Sequence, residues 1–404
     1  MSQPMKKAAH AYSPIYFLGS LGAGGLTVTF FMYLLFWVPH KGRPVPVFED
    51  ILAAFNAGDI AAKAMIIAAA AGIAIMTVIN IKSLLWNYAA FAEFKKTQAY
   101  TDLVNSNAES TTLAMPLALA MTVNISFIVG LVFVPGLWGI IEYLFPMALV
   151  AFAIIGWITF RAIGRFLGRV LTKGGVFDVT AHNSFSQLLP AFALAMVAVG
   201  LSAPASMSNA PLTVGLSLIL STFVGLAAVI YALFAAFTAF NSMLHYGTAK
   251  ESSPTLMIVI PIMTVLGIML LRQDHGLHIQ YDVHKTAGET MVMLARMLTI
   301  QLIFLGLGLV VLKREGYFKD FVFGSKLSPG SYALVCPGVA LSVMIQFFIN
   351  KGLVGAGLID KFSATYWALS AIAVAFQLAM VWLVFRLNRQ HFGKQNTTNA
   401  VPAE

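Results

Sequence analysis

The only cysteine of this 404-residue chain, Cys336, stands directly before Pro337 inside an apolar run. A thiol can act as a nucleophile or as a redox group, but the reactive species is the thiolate, which apolar surroundings suppress. A lone buried cysteine usually packs as a small hydrophobic residue. The pattern therefore favours inert packing or pore lining, and Cys336 is the candidate redox residue if the thiol is reactive.

Pro337 belongs to a pattern that recurs five times. A proline inside a helix removes one backbone hydrogen bond and frees a carbonyl group, which hydrocarbon tolerates only where it faces protein or a water-filled cavity. The pattern predicts five copies of one kinked helix around a pore lined by Gly19, Pro116, Pro190, Pro261, Cys336 and Pro337. In each copy a Ser or Thr precedes a Pro or Gly by six residues, in the pairs Ser13/Gly19, Ser110/Pro116, Ser184/Pro190, Thr255/Pro261 and Ser331/Pro337.

Arg296 is the charge that lies deepest within any apolar run. Such a charge is costly in a membrane unless it is paired or hydrated, and Glu289, two helical turns earlier, is a distant possible partner. Arg296 is the candidate charge for attracting an anion near the outer mouth of a pore. The alternatives are a side chain that extends to the membrane surface, or a contact between subunits.

Three histidines, His275, His278 and His284, accompany Asp274 and Asp282 in one predicted outer loop. Imidazole and carboxylate groups are metal ligands, but this spacing without a rigid scaffold is a weak signal. We therefore expect neither a metal site nor a bound cofactor.

The composition is that of a polytopic membrane protein. Hydrophobic residues make up 59% of the chain and charged residues 10%, and the mean hydropathy is +0.83, which a soluble domain does not tolerate. The net charge of +9 argues for basic cytoplasmic loops rather than for a nucleic-acid partner. The chain has no phosphate-binding glycine loop, nucleotide fingerprint or Ser/His/Asp set, so we do not expect energy coupling to ATP within the chain, and an enzymatic role is disfavoured but left open.

Ten apolar runs are long enough to cross a membrane, since about 20 residues are needed for each crossing. Short links within successive pairs predict five helical hairpins, and residues 13–386 form one membrane domain between a cytoplasmic N-terminus, 1–12, and a disordered cytoplasmic tail, 387–404. The runs are 13–38, 61–88, 111–134, 137–160, 183–203, 211–240, 254–271, 288–312, 329–350 and 364–386.

The basic residues predict the orientation. Seventeen of the 25 Lys and Arg residues lie on the side that holds both termini, seven lie on the other side, and Arg296 is within a helix. Basic residues favour the cytoplasmic side, so we expect both termini in the cytoplasm of a bacterium with the chain in its inner membrane. The longer outer links, at about 39–60 and 272–287, are predicted to cover an outer vestibule.

The odd-numbered helices are rich in Gly and Ala, whereas the even-numbered helices carry bulky Ile, Leu, Phe and Trp residues. Small side chains let helices approach closely in lipid. We therefore predict an all-α membrane fold with quasi-five-fold symmetry, in which the odd-numbered helices form an inner ring around a pore and the even-numbered helices face lipid or another subunit.

Ten helices in five hairpins, kinked inner helices and a proline early in the ninth helix resemble the tellurite-resistance/dicarboxylate transporter family, which includes the plant slow anion channels. The resemblance covers about residues 13–386 and implies a pore through each protomer of a homotrimer. It also implies a Phe plug on the ninth helix, before a Pro in the plant members. Here Cys336 precedes Pro337 instead, so the plug is not carried over, and Phe17, Phe192, Phe347 and Phe348 are the candidate gate residues.

The chain also resembles the uncharacterised TsoY family, some of whose members are thought to contain selenocysteine. If Cys336 stands where that residue would, the resemblance implies a role in handling sulfur or selenium. Our main hypothesis is a homotrimeric membrane anion channel or transporter for a small inorganic or organic anion, surrounded by membrane lipid. The alternatives are a membrane subunit of a quinone-linked redox enzyme and a sulfur- or selenium-handling protein that uses Cys336.

Overall fold

The structure is a computed structural model that describes residues 9–173, 178, 180 and 183–393. It is 84% helical, and the described residues contain no strand. Ten described helices are long and apolar enough to cross a membrane, which confirms the predicted all-α architecture with ten spans. Numbered span 1 to span 10 in chain order, they are Pro14–Trp37, Ile60–Phe94, Asn107–Phe133, Leu137–Lys173, Phe185–Ser206, Pro211–Tyr246, Lys250–Tyr281, Ala287–Arg314, Pro329–Leu353 and Ala364–Phe392.

Several helices are longer than hydropathy alone predicts. Span 2 continues to Phe94 and span 4 to Lys173, past the predicted ends at 88 and 160. Span 7 continues to Tyr281, although a loop was predicted from 272 onward. That loop prediction is wrong, because polar residues lower the hydropathy of a sequence window without ending a helix. Arg272 therefore lies on a helix.

All five odd-numbered spans begin with a short 3₁₀ helix and continue as an α-helix. In four of them a Ser side chain just before the 3₁₀ helix accepts a hydrogen bond from the backbone N–H two residues later; these are Ser13, Ser106, Ser184 and Ser328. Such bonds satisfy donors that have no partner within the helix. The 3₁₀ helices are Pro14–Tyr16, Asn107–Leu113, Phe185–Leu188, Lys250–Met257 and Pro329–Leu334.

The repeated Gly and Pro residues occupy the second or third position of the α-helical part in every odd-numbered span. Proline fits there because the N–H groups in the first turn of an α-helix have no partner within the helix. The repeat therefore marks the change from 3₁₀ helix to α-helix, which corrects the predicted mid-helix kink. The residues are Gly19, Pro116, Pro190, Pro261 and Pro337.

Burial separates the two sets of spans. The odd-numbered spans bury 44 to 94% of their most apolar stretch, whereas the even-numbered spans bury 17 to 39%. Each odd-numbered span contacts the next one, span 9 contacts span 1, and each even-numbered span contacts the odd-numbered span before it. The odd-numbered spans are therefore the interior helices of the protein, and the bulky side chains of the even-numbered spans are left on its outside.

Spans 1 and 9 approach so closely that one position requires glycine. A Cβ atom placed on Gly25 would lie 2.7 Å from Val339 Cγ1, which is too short for a carbon–carbon contact. A small residue in one helix lets the backbone of the other come near. This contact places Val339, three residues after Cys336, against the interior face of span 1.

The first outer link contains a helix, Phe48–Ala57. Arg43 and Asp50 form an ion pair of 2.8 Å within the link, and Glu49 accepts a 2.7 Å hydrogen bond from the backbone N–H of Gly136. Gly136 lies between spans 3 and 4, so these contacts hold the link over that end of the protein. Val45 from this link lines the cavity described next.

Candidate functional site

All five odd-numbered spans line one cavity of about 510 Å³. Its wall runs along span 7 from Pro261 to His278, a distance of about 25 Å at the rise of an α-helix. At the inner end the five 3₁₀ helices contact one another in a closed cycle, and none of their residues lines the cavity. The cavity therefore begins just beyond the junction of 3₁₀ helix and α-helix and extends toward the predicted outer side.

The inner part of the cavity is apolar. Two polar side chains interrupt this surface, and both make contacts with the wall. Thr264 Oγ1 donates a 3.0 Å hydrogen bond to the Ala340 carbonyl, and Asn124 Nδ2 lies 3.6 Å from Met196 Sδ. This part therefore offers mainly van der Waals contact to a ligand. Its apolar wall includes Leu21, Met121, Phe192, Met196, Ile268 and Val339.

The outer part of the cavity is cationic. Arg272 Nη1 donates a 2.6 Å hydrogen bond to the Val199 carbonyl, which fixes the guanidinium against span 5. Lys351 lies in a π-helical segment, Phe348–Leu353, that ends span 9, and it is exposed. Among the described residues no carboxylate forms an ion pair with Arg272 or Lys351. Their positive charges are therefore available to a ligand in the cavity.

Other charged groups surround this outer part. Lys285 pairs with Asp274 at 2.7 Å, so the charges of these two cavity-lining residues offset each other. Lys361 lies in the link after span 9, where burial and, to a smaller extent, the neighbouring Lys351 ammonium lower the pKa of Lys361. Among the charged side chains that line the cavity, Arg272, Lys285 and Lys351 are cationic and Asp274 is anionic, so the lining carries a net positive charge.

The three predicted histidines also reach the outer part of the cavity. The rings of His278 and His284 meet edge to face with centroids 4.7 Å apart, and His284 Nε2 lies 2.9 Å from Asp282 Oδ1. No group of three His, Cys, Asp or Glu residues in the described part of the chain is arranged to hold a metal ion. These side chains therefore act as part of the polar lining.

The structure places two of the six predicted pore residues on the cavity wall and the other four away from it. Cys336 and Pro261 line the inner part of the cavity. Cys336 is a free thiol with 8% of its surface exposed. The four other predicted residues are buried beside the cavity rather than on its wall: Gly19, Pro116, Pro190 and Pro337.

Two of the four candidate gate residues line the cavity, namely Phe192 and Phe347. Phe347 packs edge to face on Phe36, with ring centroids 5.3 Å apart. Phe17 instead packs against Tyr88 and Phe91 of span 2, and Phe348 does not line the cavity. The inner end is closed by packing of the 3₁₀ helices, which involves many side chains rather than one ring.

The candidate charge Arg296 is exposed on span 8 and does not line the cavity. Two of the charges that do line it, Arg272 and Lys351, fall in outer links by the hydropathy pattern. One signal in the sequence could have found Arg272. Val265, Ile268, Arg272 and His275 are spaced by three or four residues, as on one face of a helix, and all four line the cavity.

A polar side chain of an outer helix braces the wall. Gln301 of span 8 is fully buried, and its Nε2 donates to the Ile260 carbonyl at 2.9 Å and to Thr264 Oγ1 at 2.6 Å. Ile260 directly precedes Pro261, so Gln301 holds the start of the cavity wall on span 7. Gln301 is not among the residues that the sequence pattern predicts for the site.

Comparisons of the chain with models of protein families, with curated proteins and with solved structures find no match. The cavity is therefore the feature of the structure that points to a function.

Proposed function

We propose that the protein is an anion channel or transporter of the bacterial inner membrane, with both termini in the cytoplasm, which passes a small inorganic or organic anion through each protomer. One observation carries this proposal. All five interior spans line a single cavity whose outer part contains Arg272 and Lys351, and no carboxylate in the described part of the chain forms an ion pair with either of them. Positive charges in a cleft with low-dielectric walls raise the local concentration of anions.

In this proposal the odd-numbered spans form a ring with quasi-five-fold symmetry, and the five hairpins are its repeating units. The closed cycle of contacts among the odd-numbered spans supports this arrangement, as does the recurrence of a 3₁₀ helix at the start of each. Passage of an anion requires the packed 3₁₀ helices at the inner end to separate. A homotrimer follows only from the family resemblance, and the mass of the protein in a native membrane mimic tests it.

Anion flux in proteoliposomes tests the transport function. Purified protein should pass at least one anion from a panel of chloride, nitrate, sulfite, thiosulfate and succinate, and no flux of any of them above that of protein-free vesicles would refute the proposal. Fusing a reporter that is active only in the cytoplasm to the C-terminus tests the orientation. Activity of that reporter is the expected result.

Cys336 supports a second candidate, a sulfur- or selenium-handling role, because its thiol lies on the cavity wall where a bound compound would meet it. Cells that carry Cys336→Ser should then lose resistance to oxidant, sulfur or selenium challenge, and unchanged growth would count against this role. The quinone-linked redox subunit stays a prediction. Co-purification of a soluble cofactor protein tests it.

A further inference from the structure

The cavity changes in chemical character along its length. Its inner part is walled by aliphatic, thioether and aromatic side chains, such as Leu21, Phe192 and Val339. Its outer part contains the cations Arg272 and Lys351, which form no ion pair with any described carboxylate. Along span 7 about 16 Å separates Pro261 from Arg272 at the rise of an α-helix. A ligand that contacts the cations therefore has an apolar space of considerable length beside it.

An organic anion matches this arrangement better than an inorganic one. Apolar walls offer no hydrogen bonds to replace the water that a small ion loses, and unreplaced hydration is costly. An apolar group, in contrast, gains free energy when the same walls remove it from water. Cavities of several hundred Å³ with an apolar lining and a few polar groups are typical of sites for organic ligands.

We propose that the cavity binds an organic monoanion with an apolar tail, such as an alkyl or aryl carboxylate or sulfonate. Its tail lies in the inner part of the cavity, and its head group contacts Arg272 and Lys351. The inference rests on the proposed function for the passage of this compound across the membrane, but binding can be measured without transport. Arg272 suits a carboxylate or sulfonate because its planar guanidinium can donate two parallel hydrogen bonds.

The hydrogen bond from Arg272 to the Val199 carbonyl contributes to this specificity. It uses one N–H group and orients the guanidinium, and the side chain remains partly exposed. Lys351 lies on a different span, in a π-helical segment. Such segments are frequent at functional sites in α-helices. A head group held between spans 7 and 9 would therefore bridge two interior helices.

Binding of radiolabelled hexanoate to purified protein in detergent tests the proposal. Hexanoate should bind saturably and more than about tenfold tighter than acetate, because its extra methylene groups leave water. Benzoate and benzenesulfonate should displace it, whereas hexanol and hexylamine, which lack the anionic group, should compete at least about tenfold more weakly. Equal affinities for hexanoate and acetate, or displacement by hexanol as effective as by benzoate, would overturn the proposal.

Variants locate the site. Arg272→Gln and Lys351→Gln should each weaken hexanoate binding about tenfold. The near-isosteric change Met196→Gln, in the apolar inner part, should weaken the binding of hexanoate more than the binding of acetate. Arg296→Gln is the matched control, because Arg296 is exposed on span 8 and does not line the cavity. Wild-type affinity in both charge variants would place the ligand elsewhere and overturn the proposal. If a variant does not fold, the competition series measured on the wild-type protein tests the proposal by itself.

The binding and flux experiments distinguish failure of the proposed binding site from failure of the proposed transport function. Tight hexanoate binding without flux of any anion would leave the site in place and refute the transport function. Flux of chloride or nitrate with no measurable hexanoate binding would support the channel and overturn the site.

Discussion

The Arg272 guanidinium donates a 2.6 Å hydrogen bond to the backbone carbonyl of Val199. This bond joins spans 7 and 5 at the outer part of the cavity and keeps the charge facing into it. Val199 also lines the cavity, so the bond is part of the wall itself. Substitutions of Arg272 can therefore distinguish the effect of its positive charge from the effect of the orientation that this hydrogen bond gives the guanidinium.

Arg272→Gln should lower anion flux in proteoliposomes about tenfold, because the attractive charge is lost, and Arg272→Lys should retain more of the flux than Arg272→Gln. The free energy of unfolding of both variants should lie within about 1 kcal/mol of the wild-type value, since only the hydrogen bond between the partly exposed Arg272 side chain and the Val199 carbonyl is affected. Arg296→Gln serves as the charge-matched control and should keep wild-type flux. Equal flux in Arg272→Gln and wild type would show that this charge does not attract the transported ion.

Cys336 should be labelled from the outer side by methanethiosulfonate reagents, which form a mixed disulfide with the thiol and release methanesulfinate. The anionic sulfonatoethyl reagent should react faster than the cationic trimethylammonium reagent, because both must pass Arg272 and Lys351. In the double variant Arg272→Gln/Lys351→Gln this preference should disappear. Mass spectrometry measures the single added group, and Cys336→Ala is the control. A faster reaction with the cationic reagent would contradict the cationic outer part.

Gly200→Ala should destabilise the protein by about 1–3 kcal/mol through overpacking. A Cβ atom at this position would lie 2.2 Å from Cε1 of Phe152, a buried ring that lines the cavity. Gly164→Ala is the matched control, since nothing lies within 4 Å of its added Cβ atom, and it should be neutral or slightly stabilising. Thermal unfolding in detergent measures both. Equal effects of the two substitutions would refute the close packing of spans 4 and 5.

Gln301→Leu should destabilise the protein by about 1–3 kcal/mol, because it removes the donor to the Ile260 carbonyl and to Thr264 Oγ1 in a buried region. Thr299→Ala on the same helix is the control. Its exposed hydroxyl bonds only to the Ala295 carbonyl of its own helix, so its loss should matter little. The melting temperature of Gln301→Leu should be well below that of Thr299→Ala. A lower melting temperature for Thr299→Ala would exclude a bracing role for Gln301.

Asp320 lies in the link between spans 8 and 9 and accepts hydrogen bonds from Lys326 at 2.9 Å and Lys250 at 3.0 Å. These bonds lower the pKa of Asp320 below its ordinary value of 3.8. A lowered pKa in the folded state stabilises the protein above the unfolded-state pKa, and this contribution is lost as pH falls through the folded-state value.

Asp320→Asn should therefore lower the melting temperature at neutral pH. The difference from wild type should stay constant down to about pH 5, shrink below the ordinary Asp value of about 4, and disappear as pH falls through the lowered folded-state pKa. Melting curves across this range measure it. A difference that grows toward acid pH would contradict the sign of the pKa shift.

The location of the cavity-lining residues was only partly predictable. The repeated Ser/Thr and Pro/Gly pattern marks the junction of 3₁₀ helix and α-helix in each odd-numbered span, and two of the predicted pore residues, Cys336 and Pro261, line the cavity. Pro116 and Pro190 occupy matching positions but lie off its wall. A helix that is apolar on every side, as span 5 is, carries no periodic signal for the direction in which a residue points.

The sequence by itself determined that the chain has ten segments long and apolar enough to cross a membrane, because each crossing needs about 20 apolar residues. It also determined which helices lie inside, because small residues favour close helix contacts. Only the tertiary structure decided which side chains meet around the cavity. Arg272 and Lys351 come from helices far apart in the chain, and their charges, which lower hydropathy, place them outside the predicted spans. Whether such a charge faces a cavity, lipid or water depends on how the helices pack against one another, which no local pattern in the chain records.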